Sequence, residues 1–122
     1  MWEITKCFRF ESAHTLRRTI EADGSRRIHG HSYRAEIALR GTPELDSGML
    51  VDLDAVRQAL DDVRAALDHH FLDEVADLGP ATIENLSRWV WDRIKPRFPQ
   101  LQRVTIYRDS LDESASYFGP KS

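Results

Sequence analysis

Three histidines fall in an order that suits a metal ion: His14 follows one segment of alternating apolar residues, and His29 and His31 open the next. Residues two apart on a β-strand project from the same face, about 6–7 Å apart along the backbone, so the imidazoles of His29 and His31 can reach one ion together. His14 supplies a third ligand if antiparallel pairing brings the end of its strand beside the start of theirs. Three neutral imidazoles leave one position of a tetrahedral zinc open, the arrangement of a catalytic rather than a closed structural site. The same residues have a plainer use, because histidines at the start of a strand can simply hydrogen-bond to their neighbours. The spacing H-x-H does not by itself separate the two.

A second cluster is Asp68-His69-His70. A carboxylate beside an imidazole fixes its tautomer and supports proton transfer; at a helix end the same histidines would complement the dipole and bond to the last carbonyls. Glu84 falls where a helix begins and is explained by the dipole there. Asp109, after an apolar strand-like run, can accept two hydrogen bonds from the guanidine-like edge of a heterocycle, or simply form a turn. Cys7, the one cysteine, reads as a small filler on its strand.

These groups have to be positioned by the elements around them. Residues 2–11 alternate, with Trp2, Ile4, Phe8 and Phe10 on one face and Glu3, Thr5, Arg9 and Glu11 on the other. Lys6 interrupts the apolar set and Cys7 the polar one. Residues 12–27, SAHTLRRTIEADGSRR, read as a loop of a length that often carries function. Alternation resumes at His29 and runs through His31, Tyr33, Ala35, Ile37 and Leu39. After a turn at 41–48, Asp52 caps a helix with Leu53, Val56, Leu60, Val63 and Leu67 at three- and four-residue steps. Thr82 caps a second, with Ile83, Leu86, Val90 and Ile94, stopped by Pro96 and Pro99. Trp89 and Trp91 flank that stripe; one is predicted to pack and the other to lie at a protein contact. Strands at 104–108 and 115–118 enclose a turn. The order β-β-α-α-β-β predicts an α+β fold, a four-stranded antiparallel sheet with two helices on one face, whose open edges invite a closed oligomer.

Composition narrows the partners. A chain of 122 residues fits one domain, 1–122. With 17 Lys and Arg against 20 Asp and Glu, the formal charge is −3, which gives neither nucleic acid nor an anionic membrane a broad cationic face. One cysteine excludes an intrachain disulfide and a four-cysteine zinc site and suits a reducing cytosol. No apolar run is long enough to span a bilayer, and MWEITKCF lacks a signal peptide's basic head. A cytoplasmic protein is expected.

Taken in order, FESAH at 10–14, HGHSY at 29–33, VDL at 51–53, LDHHFL at 67–72 and PATIENL at 80–86 resemble the 6-pyruvoyltetrahydropterin and 6-carboxytetrahydropterin synthase family. The resemblance covers nearly the whole chain. It implies the tunnelling fold (T-fold), with trimers that close a twelve-stranded barrel and pair into homohexamers, and active sites between subunits. It implies that His14, His29 and His31 bind Zn2+, that Asp68 and His69 form an acid-base pair, and that Thr82 and Asp109 help hold the pterin. Asp109 stands where the family has a glutamate, one methylene longer. The family's catalytic cysteine, four residues before the first histidine of His-Gly-His, is replaced by Ser25, a poorer base than a thiolate. Cys7 lies too far along the first strand to replace it, and Glu21 or Asp23 are further candidates for the base. Two functions follow from the resemblance. One is a zinc-dependent lyase acting on 7,8-dihydroneopterin triphosphate or a related dihydropterin, nearest to 6-carboxytetrahydropterin synthase. The other is a pterin-binding homologue without the standard synthase activity.

Overall fold

In the computed structural model, which describes residues 1–15 and 28–121, alternation of side chains produces two long paired strands, β1 (Trp2–His14) and β2 (His29–Gly41). Two helices follow, α1 (Leu53–Leu67) and α2 (Ile83–Ile94), then strands β3 (Leu101–Arg108) and β4 (Glu113–Tyr117). Ser25, Glu21 and Asp23 lie outside the described residues. The four strands form one antiparallel sheet in the order β1-β2-β3-β4. The order and layers are those predicted.

The even positions of β1 and the odd positions of β2 face the helices. Phe10, Tyr33, Ile37 and Leu39 from the sheet meet Val56, Leu60, Val63 and Leu67 of α1 and Leu86, Trp89, Val90 and Ile94 of α2. α1 lies over β1, and α2 over β3 and β4. The opposite face is polar, with Arg40 and Glu3 paired at 2.7 Å and Arg103 and Glu36 at 2.9 Å. Both helices start as their sequences direct. Asp52 Oδ1 accepts from the Asp54 amide at 2.9 Å and Thr82 Oγ1 from the Asn85 amide at 3.1 Å, caps worth about 1 kcal/mol each.

Three differences from the sequence reading have physical reasons. β1 continues to His14 rather than stopping near residue 11, because the inward positions Ser12 and His14 stay in register although they are polar. The Ser12 hydroxyl donates to the Leu67 carbonyl, and the Ala13 amide donates to the His70 carbonyl at 3.2 Å. β3 begins at Leu101, three residues early, across an irregularity in the ladder at Ala38 and Leu39. Both tryptophans pack: Trp89 and Trp91 are each buried, so neither is left for a protein contact. Trp91 meets Tyr117 edge-on at 5.5 Å between centroids. It also lies under Gly119, where φ is +96° and a Cβ would come within 2.7 Å of Trp91 Cζ2. Gly119→Ala is therefore expected to destabilise the fold by about 1–3 kcal/mol, read as a lower urea midpoint with unchanged slope. Among the described residues, no helix is long and apolar enough to cross a membrane.

Candidate metal centre and active site

The β1–β2 register places His14 directly opposite His29, and Ser12 opposite His31. All three imidazoles thus emerge on the helix-covered face at one end of the sheet. Their candidate ligand atoms lie within 4.8 Å of one another, and the ring centroids are 4.5, 5.0 and 5.1 Å apart. His14 is fully buried. Its Nδ1 is 3.1 Å from the Thr15 carbonyl, which can only accept, so Nδ1 carries the proton and Nε2 presents a lone pair. That Nε2 is buried with no hydrogen-bond partner among the described residues. Such an atom costs about 1–3 kcal/mol when left unmet, and a cation held there removes the cost. The donor set fits zinc, with three nitrogen ligands among the described residues.

Burial pushes the His14 pKa down and that of His31 down to about 4, with Arg108 and the neighbouring imidazoles adding to both shifts. A neutral imidazole is the form that binds metal. The same shifts set a stability trend. The unfolded chain protonates its histidines near pH 6.5 while the folded chain resists, so protons stabilise the unfolded state as pH falls. Stability of the metal-free protein is expected to fall between pH 6.5 and 5, above the carboxylate range, and the slope to flatten in His31→Gln. Urea midpoints measured across that window check this.

The site is also braced from behind. Asp73 accepts from the Thr15 amide at 2.9 Å and from the Thr15 hydroxyl, fixing the carbonyl that orients His14. Outer contacts of this kind alter metal affinity by about 10–100-fold. Asp73→Ala is expected to weaken zinc binding within that range and Asp73→Asn, which keeps an acceptor for Thr15, to weaken it less, measured by competition with a chromogenic chelator.

Where α1 ends, Asp68 Oδ1 accepts from the Glu11 amide at 2.8 Å, and Oδ2 lies 3.0 Å from His69 Nδ1 and 3.0 Å from Arg64 Nη2. The Glu11 hydrogen bond, ahead of the bond to His69 and the Arg64 charge, holds the Asp68 carboxyl below its ordinary range. His69 has a left-handed backbone, φ 57°, and its amide donates to the Glu11 carbonyl at 2.6 Å. A non-glycine residue held in this region is a form of strain that collects at functional sites. The His69 side chain is 79% exposed and borders a cavity of about 500 Å³ that His31 also lines. His70, also exposed, has its Nδ1 2.8 Å from the Asp68 carbonyl and lines the same cavity. A cleft of about 470 Å³ lined by Trp2, Met49 and Leu53 contains no imidazole.

The other predicted site residues do not gather here. Asp109 is at the turn after β3, where Arg34 Nε and Nη2 donate to its two oxygens at 3.0 and 3.1 Å and Arg9 lies 3.7 Å away. Arg9 and Arg34 belong to the polar face, so within one chain the Asp109 carboxylate is turned away from the histidines. Thr82 spends its hydroxyl on the α2 cap. Cys7 points from the same polar face, where burial and Glu36 push its thiol pKa up, the opposite of what a thiolate base needs. Sequence reasoning passed over Tyr33 and Arg108, both on the histidine face. Tyr33 stacks on Phe10 at 4.8 Å and meets His31 at 5.8 Å, and Arg108 pairs with Glu113 at 2.6 Å. The signal was the parity of β3, which carries Val104 and Ile106 inward and Arg108 after them.

Comparison with known proteins bears directly on this arrangement. The family model described as 6-pyruvoyl tetrahydropterin synthase matches residues 3–120. A 6-carboxy-5,6,7,8-tetrahydropterin synthase from Synechocystis is 31% identical over 127 aligned positions, covering 99% of this chain and 96% of its own. A dihydroneopterin monophosphate aldolase from Pyrococcus furiosus is 28% identical over 80% of this chain and 82% of its own. The 6-pyruvoyl tetrahydropterin synthase structure from Caenorhabditis elegans superposes with a TM-score of 0.83 at 24% identity, covering 98% of this chain and 96% of that one. The match runs almost end to end in both sequence and backbone, and the chain belongs to the 6-pyruvoyl tetrahydropterin synthase family.

Proposed function

We propose that this chain is a zinc-dependent lyase acting on 7,8-dihydroneopterin triphosphate or a closely related dihydropterin, with 6-carboxytetrahydropterin synthase its nearest activity. The observation that carries the reading is the buried His14 Nε2, unpartnered among the described residues and facing His29 and His31, beside a cavity that His31 and the Asp68-paired His69 both line. His14, His29 and His31 would hold the zinc, which when bound supplies a Lewis acid that polarises side-chain oxygens of the ligand. Asp68 holds the proton on His69 Nδ1, leaving Nε2 to take up or deliver a proton at the ligand's carbon or oxygen. The Glu11 amide and Arg64 keep Asp68 ionised while it does so. Ser25, Glu21 or Asp23 would supply the base in place of the family's cysteine. Thr82 and Asp109 remain proposed pterin contacts. Because Asp109 faces away from its own chain's histidines, that role requires it to serve a neighbouring copy in a homohexamer of two trimers. A cytoplasmic setting completes the proposal.

The pterin-binding reading without turnover is less well supported, since a binder has no need for an exposed imidazole held in a strained backbone beside the metal ligands. The test is incubation of zinc-loaded protein with dihydroneopterin triphosphate. Release of inorganic triphosphate with formation of a tetrahydropterin is the expected result, and Ser25→Cys is expected to raise the rate. Pterin bound tightly and recovered unchanged from both proteins would favour the binder.

A further inference from the structure

Four buried side-chain polar atoms have no hydrogen-bond partner among the described residues, and three of them, His14 Nε2, Tyr33 Oη and Arg108 Nε, belong to the histidine end of the sheet. Buried polar atoms are nearly always paired, so three orphans on adjoining side chains indicate groups that are met by something beyond the described residues. The chemistry of the three is uneven. His14 Nε2 is a metal ligand, whereas the other two are donors. A tyrosine hydroxyl carries a proton to donate, and an arginine Nε–H can only donate. Tyr33 connects the two poles, with its ring against His31 at 5.8 Å and the Arg108 guanidinium beside its hydroxyl, near enough to interact with it but short of a well-formed hydrogen bond.

Charge points the same way. A dication on neutral imidazoles beside a guanidinium would carry more positive charge than Glu113 and Asp73, the carboxylates that act on this cluster, neutralise. Glu113 reaches the Nη2 end of Arg108, at 2.6 Å, while the buried Nε–H stays unmet among the described residues. A guanidinium edge is shaped to receive the oxygens of a carboxylate or a phosphate.

We infer that Arg108 and Tyr33 form an oxyanion subsite next to the three-histidine centre, one that selects ligands carrying a carboxylate or phosphate close to the oxygens that reach the metal. The inference rests on the metal reading proposed above. It names the ligand chemistry by its anionic oxygen, and it makes Arg108 a specificity-determining residue.

The test uses the full chain loaded with cobalt(II), whose visible absorption reports both its geometry and the arrival of an anion at the open position. Inorganic phosphate and glycolate are titrated separately into the wild type, Arg108→Gln, Arg108→Lys and Tyr33→Phe. Arg108→Gln is expected to weaken anion binding by about 10–100-fold, the range for a lost hydrogen bond to a charged group. Arg108→Lys keeps the charge without the fork and is expected to fall in between, and Tyr33→Phe to lose several-fold. Tighter binding of phosphate assigns a phosphorylated side chain, and tighter binding of glycolate assigns a carboxylate. Equal affinity for both anions in the wild type and Arg108→Gln, each showing the same anion-free cobalt spectrum, would overturn the subsite. Should Arg108→Gln not load cobalt, unchanged affinity in Arg108→Lys and Tyr33→Phe would overturn it equally. Failure of the wild type to take up cobalt is seen before any anion is added, and it removes the metal reading and this inference together.

Discussion

His14→Ala is expected to lower zinc affinity by at least about 100-fold. Four-ligand structural zinc sites are worth on the order of 10–16 kcal/mol, so each ligand contributes roughly 3 kcal/mol, which is about two orders of magnitude in a dissociation constant. His14 is the sharpest of the three positions to test because it has no alternative occupation. Its Nδ1 is committed to the Thr15 carbonyl and its Nε2 has no partner among the described residues. Chelator competition gives the affinity, and circular dichroism of the metal-free variant shows whether the sheet has survived the loss of a fully buried ring. Wild-type zinc affinity in a folded His14→Ala protein would mean that the metal binds elsewhere.

The second large effect is on turnover. His69→Ala is expected to lower kcat by about 10²–10⁴-fold, the range for a positioned general acid or base, with zinc content unchanged. The ring is largely solvent-exposed and lies against Asp68, so its removal leaves the core intact. Asp68→Asn is expected to be less clean, because Asp68 also receives the Glu11 amide and Arg64 and so helps to anchor the segment after α1 to the edge of β1. A loss of zinc in His69→Ala, or unchanged kcat, would remove His69 from the proton-transfer step.

Much of this arrangement was legible in the sequence, for identifiable reasons. The caps Asp52 and Thr82, the helical stripes and the alternation of β2 are local signals, and local signals fixed both helices and the strand that carries His29 and His31. The end of β1 was harder to read, because Ser12 and His14 are polar at inward positions and periodicity scores them as a break. What holds them in register is non-local, namely the Leu67 carbonyl and the chain at His69 and His70 lying along the β1 edge. Asp109 shows the converse. Its place in the sequence suggested a pterin contact, but the turn after β3 sends the carboxylate to Arg34 and Arg9, partners 75 and 100 residues earlier in the chain, which no window along the sequence reveals. Arg108 was available from strand parity alone and was masked by its charge, since an arginine at an inward position reads as a strand end.

The central claim is that three imidazoles of one chain hold one zinc with a position left open. X-ray absorption at the zinc edge, on protein purified without chelator and loaded to about one equivalent, addresses it directly. The expected result is a shell of three imidazole nitrogens at about 2.0–2.1 Å with one further light atom. A shell containing sulfur, or one with fewer than three imidazoles, would contradict it.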